Sequence, residues 1–148
     1  METAAGTTVL IDSLVENNQS GYGGGLDSIG TLTLIRTTVR NNHVLTNNGG
    51  GLDVGGTVTI SNSQITGNAA DSGNGGGLYV TGSGHVTIGD SLIAYNYVTA
   101  TAVGGGIYSA GVLTLSGVTL NNNVTVGGDG ASHGRVHALA GDRRERRR

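Results

Sequence analysis

The chain contains no cysteine, no proline, no tryptophan and no phenylalanine, and none of its basic residues is lysine. Without cysteine there is no disulfide scaffold, and the redox compartment stays open. Without the two largest aromatics a globular core of the ordinary kind is excluded, so the interior must be built from Leu, Ile and Val in thin layers. No apolar run reaches 18 residues, so no membrane-spanning helix is expected. The first residues lack the basic, apolar character of a secretion signal.

What is abundant is glycine, at 29 of 148 residues. A glycine-rich composition can signal disorder. Here the glycines are clustered and periodic. Gly23-Gly24-Gly25-Leu26 returns as Gly49-Gly50-Gly51-Leu52, Gly75-Gly76-Gly77-Leu78 and Gly104-Gly105-Gly106-Ile107, at steps of 26, 26 and 29 residues. A fixed period of this size marks a repeat architecture. An asparagine keeps the same phase: Asn18, Asn42, Asn68, Asn96 and Asn123 each follow a Val, Ile or Leu by three positions. Each arm from glycine to asparagine is nearly constant in length, and the connection from asparagine to the next glycine varies. That is the expectation for a solenoid coil with one loop-bearing corner.

Within each arm, apolar residues flank a threonine: Leu32 and Leu34 around Thr33, Val58 and Ile60 around Thr59, Val86 and Ile88 around Thr87, Leu113 and Leu115 around Thr114. Alternation at period two over a β-branched run predicts a half-buried strand. Inward positions precede it at Leu26, Leu52, Leu78 and Ile107, and follow it at Val39, Ile65, Ile93 and Leu120. Three short strands per coil leave no room for helical crossovers. The expected fold is all-β, a single-stranded right-handed parallel β-helix of about five coils of ~26 residues stacked at ~4.8 Å. One coil buries aliphatics worth on the order of 10 kcal/mol, less than the cost of ordering its residues. Only a stack is stable.

Charge divides the chain. Residues 1–130 hold two Arg against eight acids, and residues 131–148 hold six Arg against two. The reading is one β-helix domain over 1–130 and an Arg-rich, disordered tail over 131–148. With no aromatic beside those arginines, no nucleic-acid partner is expected.

The pattern GGGL-D-x-x-G-T-[LV]-T-[LI]…[ST]-x-[VI]-x-x-N resembles the repeats of right-handed β-helix proteins of the pectin-lyase-like superfamily. It is similar in particular to polymorphic outer-membrane protein repeats, over residues 8–128. The resemblance implies a secreted or cell-surface bacterial protein, an adhesin or autotransporter passenger of the outer membrane, continuing into further repeats.

In a stack, equivalent residues form columns. The asparagine column is read as a structural amide ladder. Asp27 and Asp53 share a column that continues as Tyr79 and Tyr108, with no third acid expected in it. The two carboxylates are the candidates for a Ca²⁺ site or for acid/base work, although an inert surface is the favoured reading. The two tyrosines are candidates for stacking on a sugar ring or on each other. Register places Asp12 over Arg36 and Glu16 over Arg40; His43 completes a small basic group with no acid partner of catalytic type near it in register, and His85 stands alone. No cofactor is called for. The functional expectation is a non-catalytic surface or secreted spacer, or an adhesin-like passenger, meeting a host or environmental glycan or protein through residues 43–48, 69–74 and 97–103. The alternative is a remnant of a polysaccharide lyase or hydrolase acting on acidic or neutral glycans.

Overall fold

The computed structural model describes residues 1–3, 5–99, 102–126 and 137–138. It is an all-β parallel solenoid of about four turns of ~26 residues, with no helix among the described residues. The tail expected over 131–148 lies outside the described residues except for His137–Ala138.

Each coil contributes four strands rather than three. The first sheet stacks Glu2–Thr3, Leu26–Ser28, Leu52–Val54, Leu78–Val80 and Ile107–Ser109. The second stacks the five-residue strands Thr7–Ile11, Thr31–Ile35, Thr57–Ser61, His85–Gly89 and Val112–Ser116, with His137–Ala138 set against Thr114 and Leu115. The third stacks Leu14–Glu16, Thr38–Arg40, Gln64–Thr66, Leu92–Ala94 and Thr119–Asn121. The fourth stacks two-residue strands: Gln19–Ser20, His43–Val44, Ala69–Ala70, Tyr97–Val98 and Val124–Thr125. These last strands open the connections that sequence periodicity reads as loops; two residues are too few to show alternation.

Every pairing is parallel and in register, as Val58 to Leu32 and Val86, or Ile65 to Val39 and Ile93. The inward residues fuse into one aliphatic column. Leu26, Leu32, Leu34, Leu52, Leu78 and Ile88 have no exposed surface. A thinner cluster of Val44, Ala70, Val98 and Ala102 lines the fourth sheet.

Three corners per coil use left-handed backbone, and only one of them relies wholly on glycine. Gly23, Gly49, Gly75 and Gly104 take positive φ before the first sheet. After the second sheet the same role falls to Asp12, Arg36, Asn62, Asp90 and Gly117; after the third, to Asn17, Asn41, Gly67, Tyr95 and Asn122. Asn and Asp tolerate this region because a short polar side chain can hydrogen-bond locally. The remaining glycines of each triplet answer to space. A Cβ on Gly50 would overlap the carbonyl oxygens of Ala69 and Gly76, and one on Gly51 would lie 3.0 Å from Asn68 Nδ2.

Candidate functional site

The first sheet has three-residue strands whose outer residues turn inward, so the middle residue of each must face out. These middle residues, with Glu2 of the two-residue first strand in register, form one continuous column: Glu2, Asp27, Asp53, Tyr79 and Tyr108. The structure thus brings together all four candidates of this column, and it adds a third acid. The expectation of only two carboxylates is corrected here. Glu2–Thr3 pairs with Asp27–Ser28 although its coil lacks the glycine cluster that marks the others.

Electrostatics follow the stacking. Partial burial raises the Asp27 carboxyl above its ordinary value; Glu2 adds to the effect, and the terminal ammonium partly offsets it. Burial also pushes Asp53 up to about 6, helped by the charge of Asp27 and opposed by a hydrogen bond from the Val54 backbone. Tyr79 is raised too, by burial first and then by Asp53 and Tyr108. The Tyr79 and Tyr108 rings stack with centroids 5.3 Å apart and planes 7° from parallel. They pack face on face and continue the acidic column.

This arrangement limits the chemistry. Glycosidic cleavage by two carboxylates needs them on either side of the scissile bond. Asp27 and Asp53 leave neighbouring parallel strands, ~4.8 Å apart, and point the same way. Both carboxylates therefore stand side by side on one face of the sheet. Among the described residues, no group of three or more His, Asp or Glu side chains converges to hold a metal ion.

The asparagine column is buried in its interior and fully engaged. Asn42 Nδ2 donates to Asn68 Oδ1 at 3.0 Å, Asn68 Nδ2 to Asn96 Oδ1 at 3.0 Å, and Asn96 Nδ2 to Asn123 Oδ1 at 3.0 Å. Asn18 Nδ2 reaches Asn42 Oδ1 in the same way. Each of these oxygens also receives the backbone N–H of the preceding asparagine. The second amide hydrogen goes to a backbone carbonyl, as from Asn68 to Val39 and from Asn96 to Ile65.

A second ladder lies at the preceding corner. Thr37 N–H donates to Ser63 Oγ, and Ser63 N–H to Ser91 Oγ. It stops where Val118 takes the position. These residues are the [ST] of the repeat pattern, so their spacing was visible while their role was not.

Two surface ion pairs match the register: Arg36 to Asp12 at 2.6 Å, and Arg40 to Glu16 at 2.7 Å. The Asp12 carboxyl is held below its ordinary value by the Arg36 hydrogen bond. His43 Nε2 lies 2.8 Å from Asp71 Oδ1, in ion-pair reach but without hydrogen-bond alignment. Asp71 comes from the next coil and is diagonal to His43, which is why alignment of like positions does not pair them. His85 is exposed, its Nδ1 3.0 Å from Ser83 O. A shallow open groove of ≈ 390 Å³ runs between the second and third sheets past Asn62, Gln64, Asp90 and Thr119. It is separate from the acidic column. Set beside protein-family models, curated proteins and solved structures, the chain matches none of them.

Proposed function

We propose that this chain is a non-catalytic β-solenoid segment of the pectin-lyase-like kind, serving as a rigid spacer or adhesin-like passenger at a bacterial cell surface or in secretion. The observation that supports this reading most is the side-by-side column of Asp27, Asp53, Tyr79 and Tyr108 on an open sheet. Tyrosine hydroxyls beside carboxylates suit hydrogen bonding to the hydroxyls of a sugar. The carboxylates of the column stand side by side rather than facing each other across a cleft. The asparagine ladder and the Thr37–Ser63–Ser91 ladder are consumed in holding coils together.

The alternative, a polysaccharide-cleaving remnant, draws on the burial that pushes Asp53 up to about 6, toward the range of a general acid. A glycan array and a depolymerisation assay on the same set of polymers separate the two readings. Binding without turnover, lost in Tyr79→Ala and Tyr108→Ala, is the expected result. Polymer cleavage abolished by Asp53→Asn would overturn it.

A further inference from the structure

Asparagine stands directly before glycine at two places in the chain, Asn48-Gly49 and Asn74-Gly75. A glycine nitrogen has no side chain beside it to hinder attack on the preceding Cγ, so this is the pair that loses its side-chain amide most readily. Both pairs lie at the entry to the first sheet, one coil apart, and Gly49 and Gly75 are the positive-φ residues of that corner.

The stack holds both halves of each pair. Asn48 Oδ1 accepts the Asn74 N–H at 2.8 Å, and Asn74 Oδ1 accepts the Val103 N–H at 2.9 Å. The glycine nitrogens are tied to the same neighbours: Gly49 N–H donates to Asn74 O at 3.0 Å, and Gly75 N–H to Val103 O at 3.1 Å. Gly49 and Gly75 are buried. The side-chain carbonyl to be attacked and the nitrogen that would attack it are thus both bonded to the following coil. The nitrogen's proton has to leave before the attack, and here it points into a hydrogen bond instead of water. An amide so placed reacts only while its coil is open, as in hydrogen exchange.

We propose that Asn48 and Asn74 are deamidation sites that the stacked coils keep closed and that unfolding opens. In the open chain the Gly49 nitrogen gives its proton to solvent base and attacks Asn48 Cγ. The N–Cγ bond forms, the Cγ–Nδ2 bond breaks, and Nδ2 takes up a proton and leaves as ammonia. Water then opens the cyclic imide at either carbonyl, giving aspartate or isoaspartate, and Asn74-Gly75 reacts in the same way. Isoaspartate runs the main chain through the side-chain carbons and so lengthens it just before the glycine corner. That corner has no space to give: a single added carbon on Gly49 would overlap Leu52 O, and one on Gly75 would overlap Leu78 O. A chain carrying isoaspartate there cannot close its corner again, and a reversible opening becomes irreversible. The aspartate product keeps the acceptor oxygen and refolds. None of this depends on what the outer columns bind.

Peptide mapping by mass spectrometry tests this on the whole chain, held at mildly alkaline pH with and without guanidinium chloride. Both sites are expected to deamidate in the denaturant, and roughly 100-fold or more slowly without it. When the denaturant is diluted out, chains with isoaspartate at position 48 or 74 should stay unfolded by circular dichroism, while unmodified and aspartate-bearing chains recover. A chain with both Asn48→Gln and Asn74→Gln, in which attack has to close a larger ring, should recover in full after the same incubation. Similar rates in the two conditions would show that the bonds between coils do not protect these sites. Isoaspartate-bearing chains that refold as completely as unmodified ones would show that the corner tolerates the longer chain. Either result overturns the proposal, and both are read on the wild type, so the outcome does not hang on the glutamine variant folding.

Discussion

Asn68 and Asn96 are joined twice: Asn68 Nδ2 donates to Asn96 Oδ1 at 3.0 Å, and Asn68 N–H donates to the same oxygen at 2.9 Å. One side chain thus ties a backbone turn to the coil after it. Both asparagines have no exposed surface. Removing either leaves buried donors and acceptors that water cannot reach.

Asn68→Ala strips the partner from Asn42 N–H, leaves one Asn42 Nδ2 hydrogen unpaired, and takes the side-chain donor from Val39 O. With each lost partner costing ~1–3 kcal/mol, the variant is expected to lose at least ~3 kcal/mol in urea unfolding. Asn18→Ala lies at the exposed end of the ladder and should lose less than ~1 kcal/mol, since water replaces the bonds. Equal losses at the two positions would contradict a ladder whose strength comes from burial.

Gly50→Ala should be among the most destabilising single changes in the chain. Its Cβ meets the backbone of Ala69 and of Gly76, which cannot move without breaking the bonds that join coils, and overpacking of this kind costs ~1–3 kcal/mol or more. Gly82→Ala meets nothing within 4 Å and keeps ordinary φ; the expected change is within ~0.5 kcal/mol. Thermal melts of the two variants, side by side, read the contrast directly.

Much of this fold is legible in the sequence because two markers, the glycine triplet and the asparagine, repeat in phase. Fixing them fixes the stacking of Leu32, Val58, Val86 and Leu113, and that of Asp27, Asp53, Tyr79 and Tyr108. Glu2 escapes the pattern because no glycine cluster precedes its coil, although it sits 25 residues before Asp27. The fourth sheet is hidden for a different reason. His43–Val44 and Ala69–Ala70 are too short to alternate, and their pairing depends wholly on the coils on either side. Diagonal contacts such as His43 to Asp71 follow from side-chain reach, which a column alignment does not encode.

Tyr95 stands at φ 58, where Asn17, Asn41, Gly67 and Asn122 hold the equivalent corners. A bulky side chain is disfavoured there by roughly 1 kcal/mol, and Tyr95 is 60 % exposed, so its ring contributes little burial in return. Tyr95→Asn is expected to stabilise the chain by ~0.5–1 kcal/mol. A higher midpoint in denaturant with an unchanged slope checks this, and a lower one would mean that the ring has a packing role.

Asp53 makes stability fall as pH rises. Its folded-state value of about 6 lies above the ordinary 3.8, so between those limits the folded chain binds a proton that the unfolded chain has released. The contribution is fully present below pH ~4 and is lost as pH rises through ~6. Taken whole, the shift corresponds to ~3 kcal/mol; the carboxyl is only half-buried, and solvent screening reduces this to ~1 kcal/mol. Asp27, also raised, acts in the same direction, whereas the lowered Asp12 contributes oppositely at more acid pH. Urea unfolding at pH 5 and pH 7.5 should show the wild type weaker at the higher pH. Asp53→Asn carries no charge to bury and should flatten that difference. A wild type equally stable at both values, or an Asp53→Asn profile that keeps the full slope, would show that the carboxylate column exerts no strain on the fold.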